Sequence, residues 1–323
     1  PYTAAIDIRE IELGSETDGS VYQFHTGSHN DWGTNGTVNG ESVGQYIVSP
    51  KSTAGNAGIP RYISSMQGFL IKKLHNDATN LSNFTFNIPY SAVKAKNTTA
   101  MRSPEQEKSY TTIDVAGNRF ADKVWIFIDP NCSRAYDNGW DGRKLLGSVL
   151  TPQLLVREGQ NDLQISSVDD INNTVLAFQP GEDSEYKLTF KHTNSVYPEL
   201  YLLDAETNSV TDISATGSTY SFTAAASTTP VERFKIVTGT YITTGSADIA
   251  SDTKIFSNNN IVYVNNKTNF AGTLKLIDIT GKTLLAKSIV ANALTSIETG
   301  LAAGNYIAVF ENCQGTIHQK IVL

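Results

Sequence analysis

Apolar and polar residues alternate with a period of two from one end of the chain to the other. In Asn83-Phe-Thr-Phe-Asn-Ile88, the residues Phe84, Phe86 and Ile88 fall on one face and Asn83, Thr85 and Asn87 on the other. In Lys187-Leu-Thr-Phe-Lys191, Leu188 and Phe190 point inward and both lysines outward. Half-buried strands of this kind belong to antiparallel sheets with one wet face. Lys123-Val-Trp-Ile-Phe-Ile128 is apolar on both faces and predicts a central strand covered on both sides. No segment sustains a 3.6-residue apolar period with caps at both ends, so helix content should be low. The pattern predicts an all-β fold of tandem antiparallel β-sandwiches.

The alternation weakens between Asn97 and Lys108 and again between Gly239 and Ala250, where Gly, Ser and Thr replace it. These breaks divide the chain into modules at 1–105, 106–240 and 241–323. The first holds candidate strands near Ala4 to Ile8, Val21 to His25, Gln45 to Ser49, Gly68 to Leu74 and Asn83 to Ile88. The second holds about nine, enough for a jelly-roll-like sandwich. The third packs short β-prone runs between Asn- and Gly-containing turns and closes on Gln319-Lys-Ile-Val-Leu323, a strand that must be paired to be ordered.

Within that last module, Asp278-Ile-Thr-Gly-Lys282, Gly304-Asn-Tyr-Ile-Ala-Val309 and Lys320-Ile-Val322 resemble, in order and spacing, the C-terminal sorting domain of type IX secretion cargo. The resemblance covers about residues 251 to 323. It implies an Ig-like sandwich that addresses the chain to the secretion machinery and across the outer membrane, with Asp278, Gly281, Gly304, Tyr306 and Lys320 as the sorting motif. Lys254-Ile-Phe-Ser-Asn-Asn-Asn260 stands where that family has a Pro-Asn-Pro turn. Upstream, Pro1-Tyr-Thr-Ala-Ala-Ile-Asp7, Met66-Gln-Gly-Phe-Leu-Ile-Lys72, Asn83-Phe-Thr-Phe86, Asp137-Asn-Gly-Trp-Asp-Gly-Arg-Lys144, Leu202-Leu-Asp-Ala-Glu-Thr207 and Arg233-Phe-Lys235 resemble the tandem β-sandwiches of large Bacteroidetes surface proteins, a group described as adhesins or surface antigens. That likeness implies a cell-surface or extracellular location, with a host or matrix glycan or protein as partner. No signal peptide is read at the start, and by the same pattern Pro1 opens mid-strand, as expected of a C-terminal piece of a longer precursor or of a trimmed chain.

Composition narrows the partners. A net charge of −7, with no basic run, argues against nucleic acid and anionic membranes, since both require clustered Lys and Arg. No apolar run approaches the roughly twenty residues that span a bilayer, so membrane insertion is not expected. Length alone, 323 residues, points to two or three domains. The two cysteines, Cys132 and Cys313, fall in different modules, where a disulfide would have to bridge them.

Little chemistry is encoded locally. Gly40-Glu-Ser-Val-Gly44 matches the letters of Gly-x-Ser-x-Gly but leads into the strand pattern at Gln45 to Ser49 rather than into a helix, so it is no nucleophile elbow; with no phosphate-cradling Gly loop and no His-Glu-x-x-His, a non-catalytic protein is expected. His25 and His29 are four apart but flank a Gly at a strand end, which denies them the shared helical face a zinc pair needs. Asp137-Asn-Gly-Trp-Asp-Gly142, with Asp129 upstream, gathers oxygen donors that suit calcium, making Asp129, Asp137 and Asp141 candidate ligands for the one cofactor considered. The same residues also suit a turn whose side chains bond their own backbone. Trp32, in the long Gly- and Asn-rich loop, together with Tyr136 and Trp140, offers flat rings beside Asp and Asn, the equipment of a carbohydrate-binding module. A Trp flanked by Gly also plugs sandwich ends.

Overall fold

The structure, a computed structural model, describes residues 4–26, 37–38, 41–74, 85–94, 108–207, 209–239, 243–245, 253–313 and 315–323. Among them there are strands and two single turns of 3-10 helix, Ile8–Glu10 and Tyr90–Ala92, and no α-helix. The fold is all-β, with several mainly antiparallel sheets. Two compact units divide it. One comprises Pro1–Ile171, Val175–Ser195 and Thr216–Glu232, the other Asn172–Thr174, Val196–Ala215 and Arg233–Leu323.

In the first unit the large sheet runs in the order Thr174–Gln179, Gln153–Glu158, Asn161–Val168, Ala121–Ile128, Ser109–Ala116, Glu185–Thr193 and Thr219–Thr223. Ala121–Ile128 is buried from Ala121 through Phe127, as its two-sided apolar run requires. Tyr186, Leu188 and Phe190 are buried while Lys187 and Lys191 are exposed, which is the alternation read from the sequence. One pairing corrects the purely antiparallel expectation: Ala121–Ile128 lies parallel to Asn161–Val168, with Trp125 opposite Ile165 and Ile128 opposite Val168. Parallel neighbours require a long crossover, and the chain between Ile128 and Asn161 supplies it.

A smaller sheet, in the order Gln45–Pro50, Thr17–His25 and Phe69–Lys73, belongs to the same unit. Residues on both sides of position 105 share one core: Tyr22, Val48 and Ile59 pack with Tyr110, Trp125, Phe127 and Ile165. Trp125 is fully buried, and its indole N–H donates to the Ala57 carbonyl at 3.0 Å. Each such large side chain contributes about 1.5–3 kcal/mol on burial. A neighbouring cluster holds Ile6, Ile8, Ile11, Val21, Ala54, Ile63 and Ala92. Ile88 packs against it. Phe86, expected on the same face as Ile88, is instead exposed, because its strand is only Phe86–Asn87 and its ring meets Phe69 edge-on at 6.3 Å. Phe84 lies outside the described residues.

The second unit contains two further sheets, Thr243–Gly245, Gly315–Val322, Asn305–Asn312, Gly272–Ile277, Thr283–Ile289 and Thr253–Asn258, Ile261–Asn266, Ala293–Glu298. Ile255, Val262, Val264 and Ile297 from the second sheet meet Leu274, Leu276, Ala308, Phe310, Ile317 and Ile321 from the first in one core. The hairpin between Thr253–Asn258 and Ile261–Asn266 turns at Asn259 and Asn260, both at positive φ, the conformation a two-residue type I′ turn demands. The terminal strand is paired: Val322 lies opposite Asn305, and the Leu323 N–H donates to the Gly304 carbonyl.

Candidate functional site

Each candidate calcium carboxylate is committed to hydrogen-bond donors of its own neighbourhood. Asp137 Oδ2 accepts from the Ser133 backbone N–H at 2.6 Å and from its hydroxyl at 3.2 Å. Asp129 Oδ1 accepts from the Asn131 N–H and side-chain amide, at 3.0 and 2.9 Å. Asp141 is fully buried and accepts from the backbone N–H groups of Asp137 and Ser167, both at 2.7 Å. Burial pushes the Asp141 carboxyl up to about 8 in spite of those donors. Among the described residues no group of three His, Cys, Asp or Glu is arranged to hold a metal ion. The arrangement is that of a backbone-bonding turn.

The aromatic candidates are likewise engaged. The Arg143 guanidinium stacks 3.6 Å from the centre of the Tyr136 ring, and the Tyr136 hydroxyl donates to Asp18 Oδ1 at 2.7 Å. Lys108 Nζ stands 4.4 Å from the centre of the Trp140 ring. Each ring therefore has a cation over one of its two faces. Trp32 and His29 lie outside the described residues.

What the turn does instead is clasp the strand Thr17–His25. Asn138 receives the Gly19 N–H on Oδ1 at 2.5 Å and donates from Nδ2 to the Thr17 carbonyl at 3.1 Å. The Ser20 hydroxyl donates to the Asp141 carbonyl, and the Ser52 N–H to that of Gly139. Asp18, fully buried, collects the hydroxyls of Tyr22 and Tyr136 and the Arg143 Nη1, at 3.0, 2.7 and 3.1 Å. Burial and the Asp18 charge hold both tyrosine hydroxyls above their ordinary range, so they stay protonated donors. Arg143 is oriented in turn by Asn161 Oδ1, which accepts from Nε and Nη2.

The residues that resemble a sorting motif lie on a turn and the strands next to it. Asp278 Oδ1 caps its turn by accepting from the Thr280 N–H at 2.8 Å and the Lys282 N–H at 3.0 Å, and Gly281 takes the positive φ that closes the turn. Those bonds, led by the Thr280 hydroxyl, hold the exposed Asp278 carboxyl below its usual range. Ile277, at the start of that turn, pairs with Ile307, and Ile307 pairs with Lys320 across the next ladder. Tyr306 packs partly into the core and donates its hydroxyl to the Ala302 carbonyl at 2.8 Å.

Sequence reasoning missed a cleft of about 630 Å³ lined by Phe24, Tyr46, Met66, Gln67, Phe69 and Leu70, with Thr26, Ser64, Ser65 and Gly68 at its walls. Phe24, Met66 and Leu70 are exposed, and Phe24 meets Tyr46 edge-on at 5.2 Å. No sequence signal marked it: the strand Thr17–His25 is buried on both faces through Gln23, and Phe24 shares the parity of the buried Tyr22 yet faces water.

Residues 1–238 match the family model described as a domain of unknown function, DUF8693. The minor fimbrium subunit Mfa5 of Porphyromonas gingivalis, a Bacteroidetes species, is 35% identical over 239 residues, 69% of this chain. The chain spans 19% of that relative's length. No solved structure matches. The likeness is to a fimbrial subunit rather than to an enzyme.

Proposed function

The chain belongs to the DUF8693 family of domains of unknown function, and from that premise we propose that it is a non-catalytic part of a fimbria-associated, adhesin-type protein of the bacterial surface. The observation that carries this reading is the 35% identity to a fimbrium subunit across 239 residues. The architecture supports it physically: extended sheets give rigidity, and the loops and clefts at their ends can vary without disturbing the core.

Residues 251 to 323 act, in this reading, as an Ig-like sorting domain read by the type IX secretion machinery, following a jelly-roll-like region upstream. Support comes from the capped Asp278–Lys282 turn and from the paired terminal strand that carries Lys320. Deleting residues 251–323 from the protein in its source organism should leave it in the periplasm. Normal surface display after the deletion would contradict the sorting role. Sugar binding through Trp32, Tyr136 and Trp140 gains no support from Tyr136 and Trp140, which carry Arg143 and Lys108 over one face of each ring.

A further inference from the structure

Three features of the Phe24–Tyr46–Met66 cleft point to a ligand. Among the described residues no Asp, Glu, Lys, Arg or His lines it, although the chain as a whole carries a net charge of −7. Its polar groups are hydroxyls and one amide.

Met66 is the second feature. It sits at φ 64° in the turn closed by the Gln67 N–H to Ser64 carbonyl bond, and its side chain is 77% exposed. A glycine would occupy that backbone conformation without strain. A long apolar side chain held there in water serves neither the turn nor the core, and such outliers gather where a ligand is met.

The third is an amide pair. Gln67 Oε1 accepts from the Ser64 N–H and from Gln23 Nε2, each at 3.2 Å. A backbone N–H can only donate, so the Gln67 oxygen is identified by its partners, and its Nε2 is left without an acceptor among the described residues. A pinned group of this kind calls for water or a ligand.

We propose that this cleft binds a neutral saccharide. The rings of Phe24, Tyr46 and Phe69, with Met66 and Leu70, offer apolar faces to the C–H side of a sugar ring. The Gln67 amide and the neighbouring hydroxyls match its own hydroxyls without charge. An anionic sugar would find no cation among the described lining residues, and a purely aliphatic ligand would leave the Gln67 donor unmet. A volume near 630 Å³ lies within the span of about 300–1,000 Å³ common to small-molecule sites. This inference rests on the cleft alone and goes beyond the surface placement proposed above.

The test uses the whole 323-residue chain. It is applied to an array of neutral hexose and N-acetylhexosamine oligosaccharides beside sialylated and sulfated ones, and the strongest neutral binder is then titrated calorimetrically. Selective retention of neutral glycans is expected. Met66→Gly, which relieves the strained φ, should melt no lower than the parent yet bind roughly tenfold more weakly. Gln67→Glu keeps the accepting oxygen, removes the donor and should weaken binding as well. A blank array, preference for charged glycans, or undiminished affinity in both variants would overturn the proposal. So would uptake of the neutral dye Nile red that saccharide fails to displace, since that marks a site for an apolar protein segment. A blank array would leave the surface placement standing, and intracellular retention in the organism would leave this site standing.

Discussion

Arg143 and Asp18, 125 positions apart in sequence, form an ion pair with Nη1 3.1 Å from Oδ2, in which the carboxylate is wholly buried and the guanidinium is stacked on Tyr136. Removing one partner of such a pair strands a charge in a low dielectric. Asp18→Ala should therefore cost about 3–5 kcal/mol, read as a lower urea midpoint. Adding Arg143→Met to that variant should restore part of the loss, because the stranded charge goes with it.

Stability should fall as pH rises toward mild alkali. Burial raises Asp141 to about 8 and raises Glu158 as well, so the folded protein keeps protons that the unfolded chain has released. The favourable contribution is complete below the unfolded carboxyl range near 4, declines by up to about 1.4 kcal/mol per pH unit for Asp141, and is lost above about 8. Urea midpoints at pH 5, 6.5 and 8 check the slope, and in Asp141→Asn that slope should flatten.

Gly19 should not tolerate a side chain. A Cβ built there would lie 2.4 Å from the Gly139 nitrogen and 2.5 Å from its Cα, and backbone cannot step aside. Gly19→Ala should destabilise by more than Gly217→Ala, where the site is open and only the positive φ is strained, at about 1–3 kcal/mol. Paired thermal melts compare them, and equal costs would mean the strand and the turn are not in close contact.

Both cysteines are free thiols with opposite environments. Cys132 is buried, and desolvation reinforced by Asp129 pushes its thiol up to about 12, while Cys313 is exposed. Native protein at neutral pH should release one equivalent of colour with Ellman's reagent, from Cys313, and a second only after denaturation. Two fast equivalents would contradict the burial of Cys132.

Period-two alternation carried the inward faces of Glu185–Thr193 and the covered strand Ala121–Ile128, because in each the local pattern and the burial agree. It could not show why Thr17, Asp18 and Ser20 are buried, since their partners Asn138, Arg143 and Asp141 lie more than a hundred residues downstream. Asp204 and Arg233 are a second case. Leu202–Thr207 and Arg233–Lys235 stood out as separate segments, and the fold joins them through a buried bidentate pair at 3.1 and 2.9 Å. The same blindness explains the turn at Asp137–Gly142, whose carboxylates and rings look like ligand groups until their donors and cations are in place. Nor were the exposure of Phe24 and the burial of Gln23 legible, because Phe24 shares the parity of the buried Ser20 and Tyr22 and the strand is buried on both faces from Thr17 through Gln23. The φ of Met66 was not legible either, because nothing in its neighbours' identities fixes it.

Exposure of residues 1–238 on the cell is the most direct measurement of the central claim. Antibodies raised against that region should label intact, unpermeabilised cells of the source organism and follow the protein into the sheared fimbrial fraction. Labelling that appears only after permeabilisation, with the fimbrial fraction empty, would contradict it.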